Sequence, residues 1–166
     1  VLNSFVALET SVMFFDFKQK TAITQYVINT AKTLGIETPK VAMIAPTEQM
    51  SVGIPSCVDA ALIAAMGNRG QIKGAIIDGP LALDVAIDKE SAQIKKLKGE
   101  VAGDADCLVW PNIESGNVFY KSCTKFAKAE LAAMVVGAKV PCVLSSRGDS
   151  TKTKMYSIAL AALSCK

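Results

Sequence analysis

Apolar residues along this chain form short unbroken runs, which alternate with stretches where apolar residues recur at helical spacing. Strand-like runs without polar alternation occupy residues 40–44, 72–77, 106–110 and 140–144. Runs of this kind are typical of a parallel sheet that is buried on both faces. Residues 5–8 and 11–15 favour an additional pair of short strands. The pattern predicts an α/β fold, in which a mainly parallel sheet carries helices on both of its faces.

Helical periodicity is clearest at residues 21–34, where Ile23, Val27 and Ala31 share one face and Gly35 supplies a C-terminal cap. The same reasoning predicts further helices at residues 58–66, 118–128 and 155–163, and one helix or two at residues 81–87 and 89–98. The chain therefore alternates strands with helices over most of its length.

Polar turns that contain glycine follow three of the predicted strands. They lie at residues 78–80, 112–117 and 145–150, and Pro80 is expected to end its strand because proline lacks a backbone N–H. The carboxyl ends of parallel strands meet at one edge of a sheet, so we expect the three turns to gather there. Ligands of α/β proteins bind in clefts at this edge.

The last of these turns carries side chains suited to holding an anion. Ser146 can donate or accept a hydrogen bond, and the planar cation of Arg147 fits a phosphate or a carboxylate. Gly148 allows the backbone to approach a ligand closely. The same residues also fit an ordinary helix start, capped by Asp149 or Ser150, and the local pattern leaves both interpretations open.

The absence of histidine from the 166 residues narrows the chemistry. It excludes Ser-His-Asp and Cys-His catalysis and histidine-based metal sites, so a carboxylate, lysine, tyrosine or ligand group must carry protons. A hydrophobic fraction of 51% with a net charge of +3 predicts a buried core and no nucleic-acid partner. Cys107 and Cys142 lie in apolar runs and are expected in the core. Without a membrane-spanning stretch or a recognisable signal peptide, we expect a cytoplasmic protein with no membrane partner.

Three long segments are similar to one enzyme family. They read DGPLALDVAIDKESA at residues 78–92, VAGDADCLVWPNIESGNVFYKS at residues 101–122 and VVGAKVPCVLSSRGDSTKTKMYSIALA at residues 135–161. In this order they resemble the phosphate acetyl/butyryltransferase family, and the resemblance extends over most of the chain from about Thr21 onward. The AKVP sequence is closer to the butyryl branch, towards which the resemblance leans, whereas Gly148 is closer to the acetyl branch.

The resemblance implies a fold and a reaction. The family transfers an acyl group between coenzyme A and inorganic phosphate, so the expected ligands are coenzyme A, phosphate and a short-chain acyl phosphate such as butyryl phosphate. Coenzyme A is then a substrate, and neither a bound cofactor nor a metal ion is implied. The implied architecture is that of the two-domain phosphotransacylases, which is similar to isocitrate and isopropylmalate dehydrogenases.

The resemblance also implies a division of the chain. Residues 1–130 correspond to the family's second, dimerising domain, and residues 131–166 to the C-terminal strand, turn and helix that complete the cleft. The family's N-terminal domain is absent from this sequence. A homodimer is expected, with contacts on the helix faces at residues 58–66 and 23–34.

Catalytic roles are carried over only where residues match. The family's serine–arginine pair falls on Ser146 and Arg147, and the arginine faces the phosphate. The acetyl branch has an aspartate base a few residues further on, where this chain has Thr153. Asp149 is the nearest carboxylate, so we expect Asp149 to take the proton of the coenzyme A thiol.

Substrate-binding roles follow from the family pattern PxxxxGNxxYK. The pattern falls on Pro111, Gly116, Asn117, Tyr120 and Lys121, of which Gly116, Asn117 and Lys121 are the expected binding residues. Lys121 also fits a solvated lysine on a helix surface, and Asn117 also fits a helix N-cap.

Two other functions remain open from the sequence. The chain could be a non-catalytic fragment that dimerises or regulates. It could also belong to the metal- and NAD-dependent decarboxylating dehydrogenases, which share this architecture and need clustered aspartates for a divalent cation. Aspartates are present without an evident clustered pattern, at Asp78, Asp84, Asp88, Asp104 and Asp106.

Overall fold

A computed structural model describes residues 6–7 and 16–165 of the chain. These residues fall into two compact units that divide after Gly116. None of the helices in the described residues is both long and apolar enough to cross a membrane. In chain order the elements are β1 (Val6–Ala7), α1 (Phe17–Thr33), β2 (Lys40–Ile44), α2 (Pro55–Asn68), β3 (Ile76–Leu81), α3 (Leu83–Ile87), α4 (Lys89–Ile94), β4 (Cys107–Val109), α5 (Ile113–Lys125) and α6 (Thr151–Leu163).

The first unit is built on a sheet whose described strands lie in the order β1, β4, β2, β3, with every neighbouring pair parallel. Val41 of β2 lies opposite Cys107 of β4 and Ile77 of β3. The prediction of an α/β fold with a parallel sheet is thus confirmed. Strand β1 lies inside the predicted run at residues 5–8, whereas the predicted strand at residues 11–15 falls outside the described residues.

Both faces of strand β2 are buried. Val41 and Met43 point to one face and belong to the main hydrophobic core, which α1 and α2 complete. Ala42 points to the opposite face and is fully buried, as are Val85 and Ala86 of α3, which contacts β2. Full burial of a valine or methionine side chain contributes about 1.5–3 kcal/mol, so the sheet is stabilised from two sides.

Helix α1 begins four residues before its predicted start because a capping box forms there. The backbone N–H of Gln19 donates to Asp16 Oδ1 at 2.7 Å, and the Asp16 N–H donates to Gln19 Oε1 at 3.1 Å. At the other end Gly35 has φ +92°, a conformation that favours glycine. The predicted helix and its glycine stop are therefore confirmed. Leu34, the last residue of the predicted range, is 44% exposed and lies outside the core.

Strand β3 corrects the sequence-based prediction. The strand was expected at residues 72–77 and to end before Pro80, but it begins only at Ile76 and continues through Asp78 and Gly79 to Leu81. Proline interrupts a strand only where its missing N–H faces a partner, and β3 lies at an edge of the described sheet. The expected turn at residues 78–80 was therefore wrong.

The helices after β3 resolve an alternative that the sequence left open. Residues 83–94 form two short helices, which meet at Asp88. The Asp88 carboxylate accepts a hydrogen bond from the Ser91 N–H at 2.8 Å and so caps the second helix. Helix α2 is longer than predicted and starts at Pro55, a first-turn position where the missing N–H has no cost.

The second unit contains helix α6, which includes the predicted helix at residues 155–163. The buried strand predicted at residues 140–144 was wrong. Among the described residues this segment makes one antiparallel bridge, between Val135 and Cys142, and Val140 and Leu144 are 65% and 70% exposed. An apolar run becomes a buried strand only when other strands flank it and helices cover it. Cys142 is accordingly half-buried, whereas Cys107 is fully buried as predicted.

Candidate functional site

Helix α5 carries all three residues that the family pattern assigned to substrate binding. The expected turn at residues 112–117 was wrong, because the Asn112 side chain accepts a hydrogen bond from the Ser115 N–H at 2.9 Å and starts the helix early. Asn117 therefore lies inside the helix, where it is exposed and does not act as an N-cap. Gly116 is buried, and a Cβ at this position would contact the Trp110 ring at 3.5 Å.

The Ser146–Asp149 segment closes into a turn directly before α6. The Ser146 N–H donates to Asp149 Oδ2 at 2.7 Å, and the Asp149 N–H donates to the Ser146 carbonyl oxygen at 3.1 Å. The next residue, Ser150, caps α6 by accepting a hydrogen bond from the Thr153 N–H at 3.1 Å. Of the two predicted cap residues, Ser150 is the one that caps the helix.

The Asp149 carboxylate also contacts helix α5. The Tyr120 hydroxyl donates to Asp149 Oδ1 at 2.7 Å. Both oxygens of the carboxylate are thus hydrogen-bonded, one to the turn and one to the helix. Lys121, the next residue on α5, places its ammonium 4.1 Å from the centre of the Tyr120 ring, a distance at which a cation is attracted to the ring.

A groove of about 350 Å³ lies beside this turn in the second unit. Its lining includes two lysines of α5, Lys121 and Lys125, and the hydroxyl-bearing residues Ser146, Ser150 and Thr153. Gly148 and Asp149 also line it, and a Cβ at Gly148 would meet no atom within 4 Å. Ammonium and hydroxyl groups donate hydrogen bonds to an oxyanion, and an unobstructed backbone lets the ligand approach closely.

Arg147 lies at the tip of the turn, where it is exposed. Its guanidinium makes no hydrogen bond or ion pair with any other described residue. The nearest carboxylate in sequence, Asp149, is bonded to Tyr120 and Ser146 instead. Arg147 is therefore a cation that is available to a ligand, and it does not tie the last helix to an acidic neighbour.

One ion pair is present among the described residues of the second unit. Lys152 of α6 forms an ion pair with Glu130. The hydrogen bond from Lys152 lowers the pKa of Glu130, and the bond to Glu130 raises the pKa of Lys152. Glu130 is therefore already paired with Lys152, and no ion pair involves Lys121, Lys125 or Arg147 among the described residues.

The aspartates considered for a metal site do not converge. Within the described residues no group of three or more His, Cys, Asp or Glu side chains is arranged to hold a metal ion. Asp104 lies 2.6 Å from the ammonium of Lys40, and the hydrogen bond from Lys40 lowers the pKa of Asp104. Asp84 is similarly bonded to Lys95, which lowers its pKa. Asp104 and Asp84 are thus each paired with a lysine rather than grouped around a common site.

The structure brings some of the predicted residues together. Ser146, Asp149 and Lys121 line one groove and Arg147 lies on the adjoining turn, whereas Gly116 and Asn117 are absent from the lining. Lys125 had no predicted role, although its position four residues after Lys121 places both on one face of a helix. The contact of Tyr120 with Asp149 was also not predicted, because it joins residues far apart in the chain.

Comparison with known proteins identifies relatives of this chain. Residues 15–162 match the family model described as phosphate acetyl/butaryl transferase. The chain is 49% identical to the phosphate butyryltransferase of Clostridium acetobutylicum, over 89% of this chain and 49% of that protein. It is 44% identical to the phosphate acetyltransferase of Thermotoga maritima, over 88% of this chain and 50% of that protein.

A solved structure supports the same relationship. The branched-chain phosphotransacylase of Enterococcus faecalis superposes with a TM-score of 0.85 at 36% identity, over 93% of this chain and 55% of that one. The chain thus spans about half the length of the relatives it matches. The family match covers nearly the whole sequence and the resemblance of its three segments is confirmed, so this chain belongs to the phosphate acetyl/butyryltransferase family.

Proposed function

We propose that this chain is a phosphate acyltransferase, or the part of one that carries the phosphate side of its site. The reaction transfers a short acyl group, such as butyryl, between coenzyme A and inorganic phosphate. The names of the relatives support the reaction class. The observation that carries the proposal is Arg147, an exposed guanidinium without a described partner beside a groove lined by lysines and hydroxyl groups.

The chemistry proceeds by direct displacement. In one direction a phosphate oxygen attacks the thioester carbonyl, the C–S bond breaks and the coenzyme A thiolate leaves, to be protonated. In the other direction the thiol loses its proton and the thiolate attacks the carbonyl of the acyl phosphate, whereupon the bond from the carbonyl carbon to the phosphate oxygen breaks and inorganic phosphate leaves. Neither direction needs a covalent enzyme intermediate or a metal ion, so oriented cations and one proton acceptor suffice.

Three residues of the turn have proposed roles in this reaction. Arg147 holds phosphate oxygens through its planar fork, and the Ser146 hydroxyl hydrogen-bonds the same anion or the acyl carbonyl. Asp149 accepts the thiol proton. Each of its oxygens accepts one hydrogen bond, and a carboxylate oxygen has a second lone pair for the proton.

The proposed roles of the three substrate-binding residues rest on different observations. Lys121 lines the groove and attracts anionic groups of phosphate or coenzyme A. Asn117 lies one helical turn before Lys121 and so projects from a similar face of α5. Gly116 is buried against Trp110, and its proposed contribution is to allow that packing rather than to touch a ligand.

We further propose that the chain adopts the second domain and the C-terminal elements of the two-domain, dehydrogenase-like phosphotransacylase fold. Residues 1–130 form the dimerising domain and residues 131–166 the elements that complete the cleft. The exposure of Val140 and Leu144 supports the second assignment, because such side chains are normally covered by another part of a fold.

A cytoplasmic homodimer is part of the same proposal. Leu62 of α2 is 49% exposed and offers an apolar contact, whereas Val27 and Ile28 of α1 are buried in the chain's own core. The contact is therefore proposed for α2, and the buried face of α1 is not available to a second copy. Light scattering at micromolar concentrations tests this, and a strictly monomeric mass contradicts it.

The activity is tested by assaying the chain with butyryl-, isobutyryl- and acetyl-coenzyme A plus phosphate, with detection of both free thiol and acyl phosphate. Arg147→Ala should lower turnover about a hundredfold or more, since one charge-assisted contact contributes roughly 2–4 kcal/mol. Arg147→Lys should restore only part of it. Arg69→Ala removes another exposed arginine, at the end of α2, and serves as the matched control.

The outcomes separate the alternatives. Near-normal turnover of Arg147→Ala with a clear drop in melting temperature would contradict the proposed site. An inactive parent chain that binds coenzyme A in calorimetry would indicate the non-catalytic fragment. Tight binding of both NAD and a divalent cation would indicate a dehydrogenase instead.

A further inference from the structure

We infer that Tyr120 is a positioning residue for the anion site. Its hydroxyl holds Asp149 and, through Asp149, the turn that presents Ser146 and Arg147. The inference rests on the proposed function, because the anion in question is the phosphate of acyl transfer. Tyr120 lines the groove, but its proposed role is to hold the turn rather than to react with the phosphate or the acyl group, so it is a positioning residue and not a catalytic one.

The Asp149 carboxylate is the link between two separate elements. One oxygen accepts the Tyr120 hydroxyl of α5 at 2.7 Å, and the other accepts the Ser146 N–H of the turn at 2.7 Å. Hydrogen bonds to an ionised acceptor are short and about twice as strong as neutral ones. The two bonds together connect the backbone of the turn to a regular helix.

The turn has a fixed end and a loosely held end. On its C-terminal side, Ser150 caps α6 and ties the turn to that helix. On its N-terminal side, residues 143–146 belong to no strand or helix, and the preceding segment has a single bridge to the rest of the described chain, between Val135 and Cys142. The bond from Tyr120 supplies a second anchor, and a turn anchored to two helices keeps Arg147 in a narrower range of positions.

A fixed turn should bind phosphate more tightly than a mobile one. Ordering a loop on binding costs free energy, and a loop that is ordered beforehand avoids that cost. Loss of the Tyr120 hydroxyl leaves the charge of Arg147 unchanged and alters only its placement. The expected effect is therefore a weaker affinity for phosphate without a loss of charge from the site.

The test compares Tyr120→Phe with Tyr156→Phe. The control also removes a single tyrosine-to-carboxylate bond in the same unit, from the Tyr156 hydroxyl to Glu130 Oε2 at 3.3 Å. Hydrogen exchange is measured on peptides that cover residues 144–150. Calorimetry gives the dissociation constant for inorganic phosphate, and steady-state kinetics give the KM for phosphate and kcat. Tyr120→Phe should accelerate the exchange of these peptides and raise the Kd and the KM for phosphate about tenfold, with a smaller change in kcat. Tyr156→Phe should change neither the exchange rate nor the affinity for phosphate.

A double mutant distinguishes positioning from general loosening. If Tyr120 acts through Asp149, Tyr120→Phe should have no further effect on phosphate affinity in an Asp149→Ala background. Unchanged exchange in folded Tyr120→Phe overturns the inference whatever the activity, and so does faster exchange with unchanged phosphate affinity. A parent chain that binds no phosphate overturns the proposed function and the anion role together, and exchange then decides alone whether Tyr120 holds the turn.

Discussion

Lys20 of α1 and Asp59 of α2 form an ion pair in the first unit, with 2.6 Å between Nζ and Oδ2. Lys20 is only 7% exposed, and a charge at such depth is costly unless a partner compensates it. The pair joins the N-terminal parts of two neighbouring helices. It therefore requires both helices to pack in one arrangement, because a shift of either would leave a charge uncompensated.

Lys20→Met should destabilise the chain by about 2 kcal/mol, because it leaves the Asp59 carboxylate unpaired. The cost falls below that of a fully buried pair because the Asp59 side chain keeps 24% of its exposure. Lys20→Met/Asp59→Leu should recover most of the loss. Urea unfolding measures these differences, with exposed Lys18→Met as the control. Equal stability of the Lys20 and Lys18 variants would contradict the prediction.

Gly79→Ala should destabilise the chain by about 1–3 kcal/mol through overpacking. A Cβ at this position would lie 2.6 Å from the Met43 Cβ and 3.0 Å from the Met43 carbonyl oxygen. Backbone atoms cannot move aside as a flexible side chain does, so β2 and β3 would have to separate. Gly53→Ala is the matched control, since its new Cβ would come no closer than 4.0 Å to Ser51. Thermal unfolding that gives both variants the same melting temperature would rule out this packing argument.

Cys107 should make stability depend on alkaline pH. Burial raises the pKa of the Cys107 thiol from 9.0 to about 12. Between these values the unfolded chain loses a proton that the folded chain keeps, so the free energy of unfolding should fall as the pH rises from 9 towards 12. Its contribution is complete below pH 9. Cys107→Ala should lessen this decline, and Cys165→Ala, at an exposed thiol, should not. Urea unfolding under reducing conditions at several pH values measures the slopes, and identical slopes would refute the assignment.

The strands could be predicted where burial is two-sided. The runs around Val41 and Cys107 contain no polar alternation because both faces of the sheet are covered, and the pattern shows this directly. Pro80 misled the prediction, since a sequence does not reveal which strand lies at the edge of a sheet. The run at residues 140–144 also misled the prediction, because strand formation depends on neighbouring strands, which the sequence of the run does not specify.

The part of the site whose residues are close together in the sequence could be predicted. Ser146, Arg147 and Asp149 lie within four residues, so a shared turn follows from their order and from the serine cap that comes next. The bond from Tyr120 to Asp149 connects positions 29 apart, and no local pattern indicates such a contact. Helix α5 begins earlier than expected because Asn112 caps it, and the sequence alone left a capping role open for Asn117 instead.

The exposed segment at residues 140–144 has a consequence for solubility. Val140, Val143 and Leu144 are 65%, 40% and 70% exposed, and short apolar segments of high β-propensity and low charge are the usual nucleus for cross-β aggregation. Pro141 interrupts the row and removes one backbone donor, so a stack of copies of this segment would lack a hydrogen bond at every layer. Replacement of Pro141 by valine would accordingly raise thioflavin binding in concentrated samples. A single proline thus opposes polymerisation through an apolar segment that the structure leaves exposed.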